Sequence, residues 1–177
     1  KSQRISLNDS INLNDSLVFD KTMLRGKLNN GLTYYVKKNG SPEKRLIISM
    51  LFEVGAIDEE DHQKGYAHFI EHMAFNGTNS YPGAYVVNFF RSVGCRLGRD
   101  LRAGTGIDDT VFEFGIPTSP DSTVERTFSI CSDMAFNLSL SQAEIDKERG
   151  VILEELRLGQ GATRRMLDKL TPVIYGN

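Results

Sequence analysis

The chain has 177 residues, of which 40% are hydrophobic and 25% are charged. This size and composition are typical of one globular domain with its own core. The net charge of −2 gives no reason to expect nucleic acid or an anionic membrane surface as a partner. No apolar run approaches the roughly 18–20 residues of a membrane span, so no transmembrane segment is predicted.

Residues 1–22 are polar and rich in Asn, Asp and Ser, which favour turns, so they are predicted to form a leader or linker. The domain itself is predicted to cover residues 23–177. The first residue is Lys1, which suggests a processed or excised segment of a longer protein. Cys95 and Cys131 are too few for a disulfide framework and are expected to be buried thiols.

Three stretches have the pattern of β-strands. Residues 26–36 predict a hairpin around Asn30-Gly31, a common turn dipeptide. Residues 45–54 are almost continuously apolar, which predicts a central strand. Residues 110–117 alternate like a strand, whereas residues 96–106, rich in Gly and Arg, predict a loop or irregular edge strand.

Helices are predicted from apolar periodicity and from capping residues at 65–75, 84–93, 119–137, 141–158 and 162–170. Together with about four strands, they indicate an α+β fold with the helices on one face of the sheet.

The first predicted helix carries the motif His-x-x-Glu-His. On a helix, His68 and His72 lie about 40° apart, so both imidazoles can bind one zinc ion. Glu71 can then act as general base on a zinc-bound water, as in other H-x-x-E-H sites. The alternative is an ordinary histidine pair with Glu71 as a helix-surface partner. The third histidine, His62, lies in an acidic loop and is expected to be a surface residue.

A catalytic zinc site needs a third protein ligand and one open position. On the predicted helix at 141–158, Glu148 and Glu155 follow one narrow stripe that borders the apolar face. Glu154 lies about 100° away from Glu155. Either Glu155 or Glu148 is therefore the better third ligand, and Glu154 is the poorer one; the alternative is a solvated charged face.

These motifs resemble the M16 metallopeptidases of the pitrilysin and insulinase type, also called inverzincins. The resemblance extends over about residues 26–159 and rests on residues 30–32, 52–55, 65–78 and 148–155. Within that family, the chain is similar to the PqqL-like zinc proteases of the bacterial periplasmic branch. The resemblance implies an antiparallel-dominated M16 domain, similar to mitochondrial processing peptidase, that hydrolyses bonds in peptides or unfolded protein segments.

The resemblance also implies a role for each site residue. His68, His72 and Glu155 would bind one Zn²⁺ per domain, Glu71 would be the base, and Glu148 would assist. A homologous C-terminal half of the same protein would supply an Arg and a Tyr that stabilise the oxyanion. The chain is thus expected to be an N-terminal catalytic piece, weakly active or inactive alone, from a periplasmic or secreted protein.

Two features depart from the family pattern. The interval between His72 and Glu155 is several residues longer than usual, which suggests a loop insertion before the second ligand helix. Where the family has an Asn-Ala pair on an edge strand, this chain has Arg102, Ala103 and Gly104, which are predicted to bind substrate by β-augmentation. The rival functions are a non-catalytic peptide-binding or structural subunit and a structural zinc site, although no fourth ligand has a sensible spacing.

Overall fold

The structure, a computed structural model, describes residues 19–175. The chain divides into two compact units, residues 1–43 and residues 44–177, and each is described by itself. The polar segment predicted at residues 1–22 lies outside the described residues except for its last four.

The first unit contains an antiparallel hairpin of β1 (Met23–Lys27) and β2 (Thr33–Lys37). The backbone N–H of Leu28 donates to the carbonyl of Leu32 at 2.8 Å and closes the turn. Gly31 adopts a positive φ of 93°, which glycine tolerates without steric cost. The predicted hairpin around Asn-Gly is confirmed.

Within residues 44–175, the second unit contains three strands and five α-helices. These are β3 (Arg45–Phe52), α1 (Tyr66–Met73), α2 (Tyr85–Ser92), β4 (Leu101–Thr105), β5 (Thr110–Pro117), α3 (Asp121–Phe136), α4 (Gln142–Gly159) and α5 (Ala162–Tyr175). Two short 3₁₀ turns, Ala56–Asp58 and Asp61–Gln63, precede α1. The predicted α+β class with antiparallel strands is confirmed, although the described strands form two sheets.

Strand β5 is the centre of the three-stranded sheet, whose order is β3-β5-β4 and whose pairings are both antiparallel. Every second side chain of β5 is buried, including those of Phe112, Phe114 and Ile116. This alternation is the period of a strand with one face on the core. The helices cover that face: the ring of Phe90 from α2 stacks on Phe114 with centroids 5.3 Å apart.

The prediction that residues 45–54 form a central strand is wrong. Strand β3 lies at the edge of the described sheet and pairs only with β5. Its Ile48 and Met50 pack on the core, but Ile47 and Leu51 point to the other face and are 56% and 60% exposed. An apolar run therefore overstated the burial, because only one of its two faces meets the helices.

The segment that leads from β3 to α1 is fixed by a close backbone approach at Gly55. A Cβ at this position would lie 2.5 Å from the carbonyl oxygen of Ile107 in the β4–β5 turn, so no larger residue fits without a shift. The next two residues bond the same turn, since the N–H of Ile57 donates to the Ile107 carbonyl at 2.7 Å. This contact holds the approach to α1 against the sheet.

Two smaller predictions, the buried cysteines and the exposed His62, are confirmed. Cys95 and Cys131 are free and buried, and burial raises the pKa of the Cys131 thiol to about 12. His62 is a surface residue whose side chain is 73% exposed. Within residues 19–175, no helix combines the length and apolarity that crossing a membrane requires.

Candidate metal centre

Helices α1 and α4 bring His68, His72 and Glu155 together. The Nε2 atoms of the two histidines are 3.2 Å apart. Oε2 of Glu155 lies 3.3 Å from Nε2 of His72 and 3.7 Å from Nε2 of His68. The three side chains converge although Glu155 is 83 positions beyond His72, so the packing of α4 on α1 creates the cluster.

The spacing of these three atoms fits a zinc ion. Ligand atoms at about 2.0–2.1 Å from zinc in a tetrahedron are about 3.3–3.4 Å from one another. The observed separations of 3.2, 3.3 and 3.7 Å are close to that edge length. Two imidazoles and a carboxylate are also the donor set of several catalytic zinc sites, in which the fourth position stays open.

Glu148 binds the other nitrogen of His72. Its Oε1 accepts a hydrogen bond from Nδ1 of His72 at 2.8 Å, and its Oε2 accepts one from the side-chain amide of Asn76. The carboxylate is buried, with 8% of the residue exposed. A proton held on Nδ1 leaves the lone pair of Nε2 directed at the cluster, which is the tautomer that a metal ligand needs.

Glu71 lines a cavity that His68, His72 and Glu155 also line, but it lies outside their cluster of possible ligands. It is buried, with 8% exposure, and its Oε2 accepts a hydrogen bond of 2.8 Å from Oγ1 of Thr105 at the end of β4. Its other oxygen accepts no hydrogen bond from residues 19–175 in this structure. A buried carboxylate with one free oxygen beside an open metal position can act as a proton acceptor.

The first turn of α1 is held by a glutamate outside the helix. The two oxygens of Glu59 accept backbone N–H bonds from Gly65 and Ala67, each at 2.7 Å. Gly65, the N-cap residue, has no side chain to do this. Glu59 therefore satisfies two N–H groups at the positive end of the helix that carries both histidines.

Residues of both β4 and α4 line the cavity, and one edge of β4 is open in the described sheet. The carbonyl of Asp100 accepts from Gly115, and the N–H of Gly106 donates to Asp109, so residues 100 and 106 both face β5. In an antiparallel pair this orientation alternates. The backbone N–H and C=O of Ala103 therefore point away from β5, toward the open edge.

Arg102 and Gly104 have a different orientation from Ala103. The Arg102 side chain is exposed and pairs with Glu113, its cross-strand neighbour on β5, at 2.9 Å. Ala103 and Gly104 line the cavity of the cluster, whereas Arg102 does not. The Arg102 guanidinium thus lies on the sheet face that points away from the histidines.

The remaining glutamates of α4 lie outside the cluster. The Arg157 guanidinium binds the Glu154 carboxylate at 2.6 and 2.8 Å and holds its pKa below the ordinary value.

Three contacts of the site were not found by sequence reasoning: those of Glu59, Asn76 and Thr105. Asn76 follows the predicted helix at 65–75, and no sequence pattern links it to Glu148, 72 positions away.

Comparison with known proteins identifies the class. The model of the insulinase family, peptidase family M16, matches residues 34–171. The chain therefore belongs to this family, and the resemblance inferred from its motifs is confirmed.

Among its relatives, the chain is 36% identical over 158 residues to the probable zinc protease PqqL of Escherichia coli, covering 89% of this chain and 17% of that protein. It is also 36% identical over 143 residues to a PQQL-like zinc protease of Arabidopsis thaliana, covering 81% of this chain and 15% of that protein. The crystal structure of the first half of E. coli PqqL, described as a periplasmic protease, matches with a TM-score of 0.84 over 89% of this chain and 34% of that one. The chain thus spans about a sixth of the length of these relatives.

Proposed function

We propose that this chain is the zinc-binding catalytic part of an M16 metalloendopeptidase that hydrolyses peptide bonds in peptides or unfolded protein segments. The observation that carries the proposal is the convergence of His68, His72 and Glu155 at the spacing of a tetrahedral zinc site. Its relatives are named zinc proteases, which supports peptidase chemistry and zinc as the metal.

Zinc bound by this triad would polarise the scissile carbonyl and acidify a water molecule. In the proposal, Glu71 takes the proton of the attacking water on its free oxygen and returns it to the leaving amine. Glu148 keeps the proton of His72 on Nδ1, so that Nε2 remains a ligand. Glu148 is therefore assigned a positioning role, and the third ligand is Glu155.

The substrate is proposed to bind as an added strand along the open edge of β4. The outward N–H and C=O of Ala103 would pair with the peptide backbone, which makes binding tolerant of sequence. Gly104 lines the cavity next to Ala103, but its own backbone groups face β5. Arg102 would take no direct part in this pairing, because its backbone groups face β5 and its side chain is engaged by Glu113.

The complete protein is proposed to contain a homologous C-terminal half. The relatives are about six times longer than the matched region, and this chain matches within the first half of E. coli PqqL. Because that relative is described as a periplasmic protease, a periplasmic location is proposed here as well.

The direct test is Glu71→Gln in the complete protein. The amide cannot take a proton, so cleavage of an unfolded protein substrate should fall at least about 1,000-fold while zinc content stays near one per chain. Glu60→Gln, an exposed glutamate on the approach to α1, is the matched control and should keep full activity. Substantial cleavage by Glu71→Gln would refute its role as base. Peptide binding without cleavage by the wild type would instead favour a non-catalytic subunit.

A further inference from the structure

The hydrogen bond between Thr105 and Glu71 joins the edge of the sheet to the helix of the metal centre. Thr105 is the last residue of β4, and its Oγ1 donates to Oε2 of Glu71 at 2.8 Å. The two residues are 34 positions apart and belong to different elements. The bond is therefore a tertiary contact that exists only where β4 packs on α1.

The same strand also presents the backbone groups that face the open edge. Side chains on a strand alternate, so Thr105 and Ala103 point to the helix side together with buried Leu101. The outward backbone groups of Leu101 are occupied, because its N–H donates to Arg96 and its C=O accepts from Gly98. Within the described residues, the open part of the edge is thus confined to Ala103 and Thr105.

We propose that Thr105 is a positioning residue for Glu71 and that it fixes the base relative to the strand that receives the peptide. The inference rests on the proposed function. The hydroxyl occupies Oε2, so Oε1 is the oxygen directed to the reacting water. A peptide bound along β4 would then have a fixed position relative to Glu71, because β4 contacts both the peptide and Glu71.

The cross-strand neighbour Thr110 offers a matched control. It is the register partner of Thr105, and its Oγ1 donates to the backbone carbonyl of Val54 at 2.9 Å rather than to a site residue. Thr105→Val and Thr110→Val remove the same hydroxyl from opposite residues of one ladder, with little change in shape.

The experiment compares these two variants with Thr105→Ser in the complete protein. We expect Thr105→Val to lower kcat about 10–100-fold with KM within about threefold, since misplacing a catalytic group by about 1 Å costs that much. Thr105→Ser, which keeps the donor, should restore kcat to within about threefold. Thr110→Val should keep kcat. Zinc content should be unchanged in all three.

Crystal structures of the zinc-free proteins provide a readout that is independent of activity. The Glu71 carboxylate should stay within hydrogen-bond distance of residue 105 in the wild type and in Thr105→Ser, and change rotamer in Thr105→Val. Wild-type kcat with an unmoved Glu71 in Thr105→Val, or an equal loss in Thr110→Val, would overturn the inference. If Glu71→Gln also retains full activity, the proposed function fails as well, whereas an inactive Glu71→Gln confines the failure to Thr105.

Discussion

Two glutamates seven positions apart on α4 contact the same histidine in different ways. Glu155 approaches Nε2 of His72 at 3.3 Å, and Glu148 accepts from Nδ1 at 2.8 Å. Their exposures differ accordingly: the Glu155 side chain is 57% exposed at the cavity, and that of Glu148 is 10% exposed. The outer glutamate is available to a metal, and the inner one is committed to the imidazole.

Removing the inner glutamate should weaken metal binding without abolishing it. We expect Glu148→Ala to reduce zinc affinity about 10–100-fold, because His72 loses the acceptor that fixes its tautomer and ring orientation. Competition with a chromophoric chelator measures this directly. Glu144→Ala removes a glutamate four positions before Glu148 that pairs with Lys147 instead, and it should leave the affinity unchanged. An unchanged affinity in Glu148→Ala would contradict the positioning role.

The sequence predicts the candidate metal centre only in part. The spacing of His68 and His72 is visible because both lie on one helix, where four positions return to the same side. The stripe on α4 narrows the third ligand to Glu148 or Glu155 but cannot separate them, since both border the core. The choice depends on how α4 is placed against α1, and that placement is set by long-range packing.

The start of α1 depends on Glu59 instead of a local cap. We expect Glu59→Ala to lower the free energy of unfolding by about 1–2 kcal/mol, because two backbone N–H groups lose a charged acceptor at the positive end of the helix. Denaturant titration measures the loss. Glu60→Ala removes an exposed neighbouring carboxylate and should change stability by less than about 0.5 kcal/mol. Equal losses of stability in the two variants would contradict this role of Glu59.

Asp133 on α3 holds the segment between α1 and α2 in a similar way. Burial alone would raise its pKa, but hydrogen bonds from Thr78, the Ser80 backbone and Asn137 outweigh this and lower it. The ionised form therefore contributes stability at neutral pH.

A group whose pKa is lowered on folding contributes fully above its unfolded value of about 4, and the contribution fades as the pH falls through the folded value. Asp133→Asn should thus lower the free energy of unfolding by about 1–2 kcal/mol at pH 7. The difference in stability from the wild type should narrow steadily below about pH 4. Urea titrations at pH 7 and pH 3 test this. A gap that widens in acid would be the opposite of the expected linkage.

Strands were predicted less well than helices for a physical reason. The run at 45–52 contains more apolar residues than the central strand, yet Ile47 and Leu51 are exposed. Strand β5 occupies the centre of the sheet although Glu113 and Gly115 interrupt its apolar run. Only the face of β5 that carries Phe112, Phe114 and Ile116 meets the helices. Strand order depends on tertiary pairing, which local hydrophobicity does not encode.

For the molecule as a whole, the chain spans only about a sixth of the length of its relatives, and this affects the activity expected of the chain alone. The family resemblance implies that oxyanion-stabilising Arg and Tyr side chains come from a later half. We expect residues 1–177 alone to bind zinc but to turn over substrate at least about 100-fold more slowly than the complete protein, since one lost oxyanion donor costs that much. Addition of the separate C-terminal half should restore part of the rate. Full activity of the isolated chain would contradict this expectation.

The zinc content of the complete protein and of two variants tests the central claim most directly. Glu155→Ala removes the carboxylate beside both histidines, and Glu154→Ala removes its neighbour, which is bound by Arg157. Mass spectrometry of the purified proteins should find about one zinc per chain in the wild type and in Glu154→Ala, and much less in Glu155→Ala. Zinc retained in Glu155→Ala, or lost equally in Glu154→Ala, would contradict the triad of His68, His72 and Glu155.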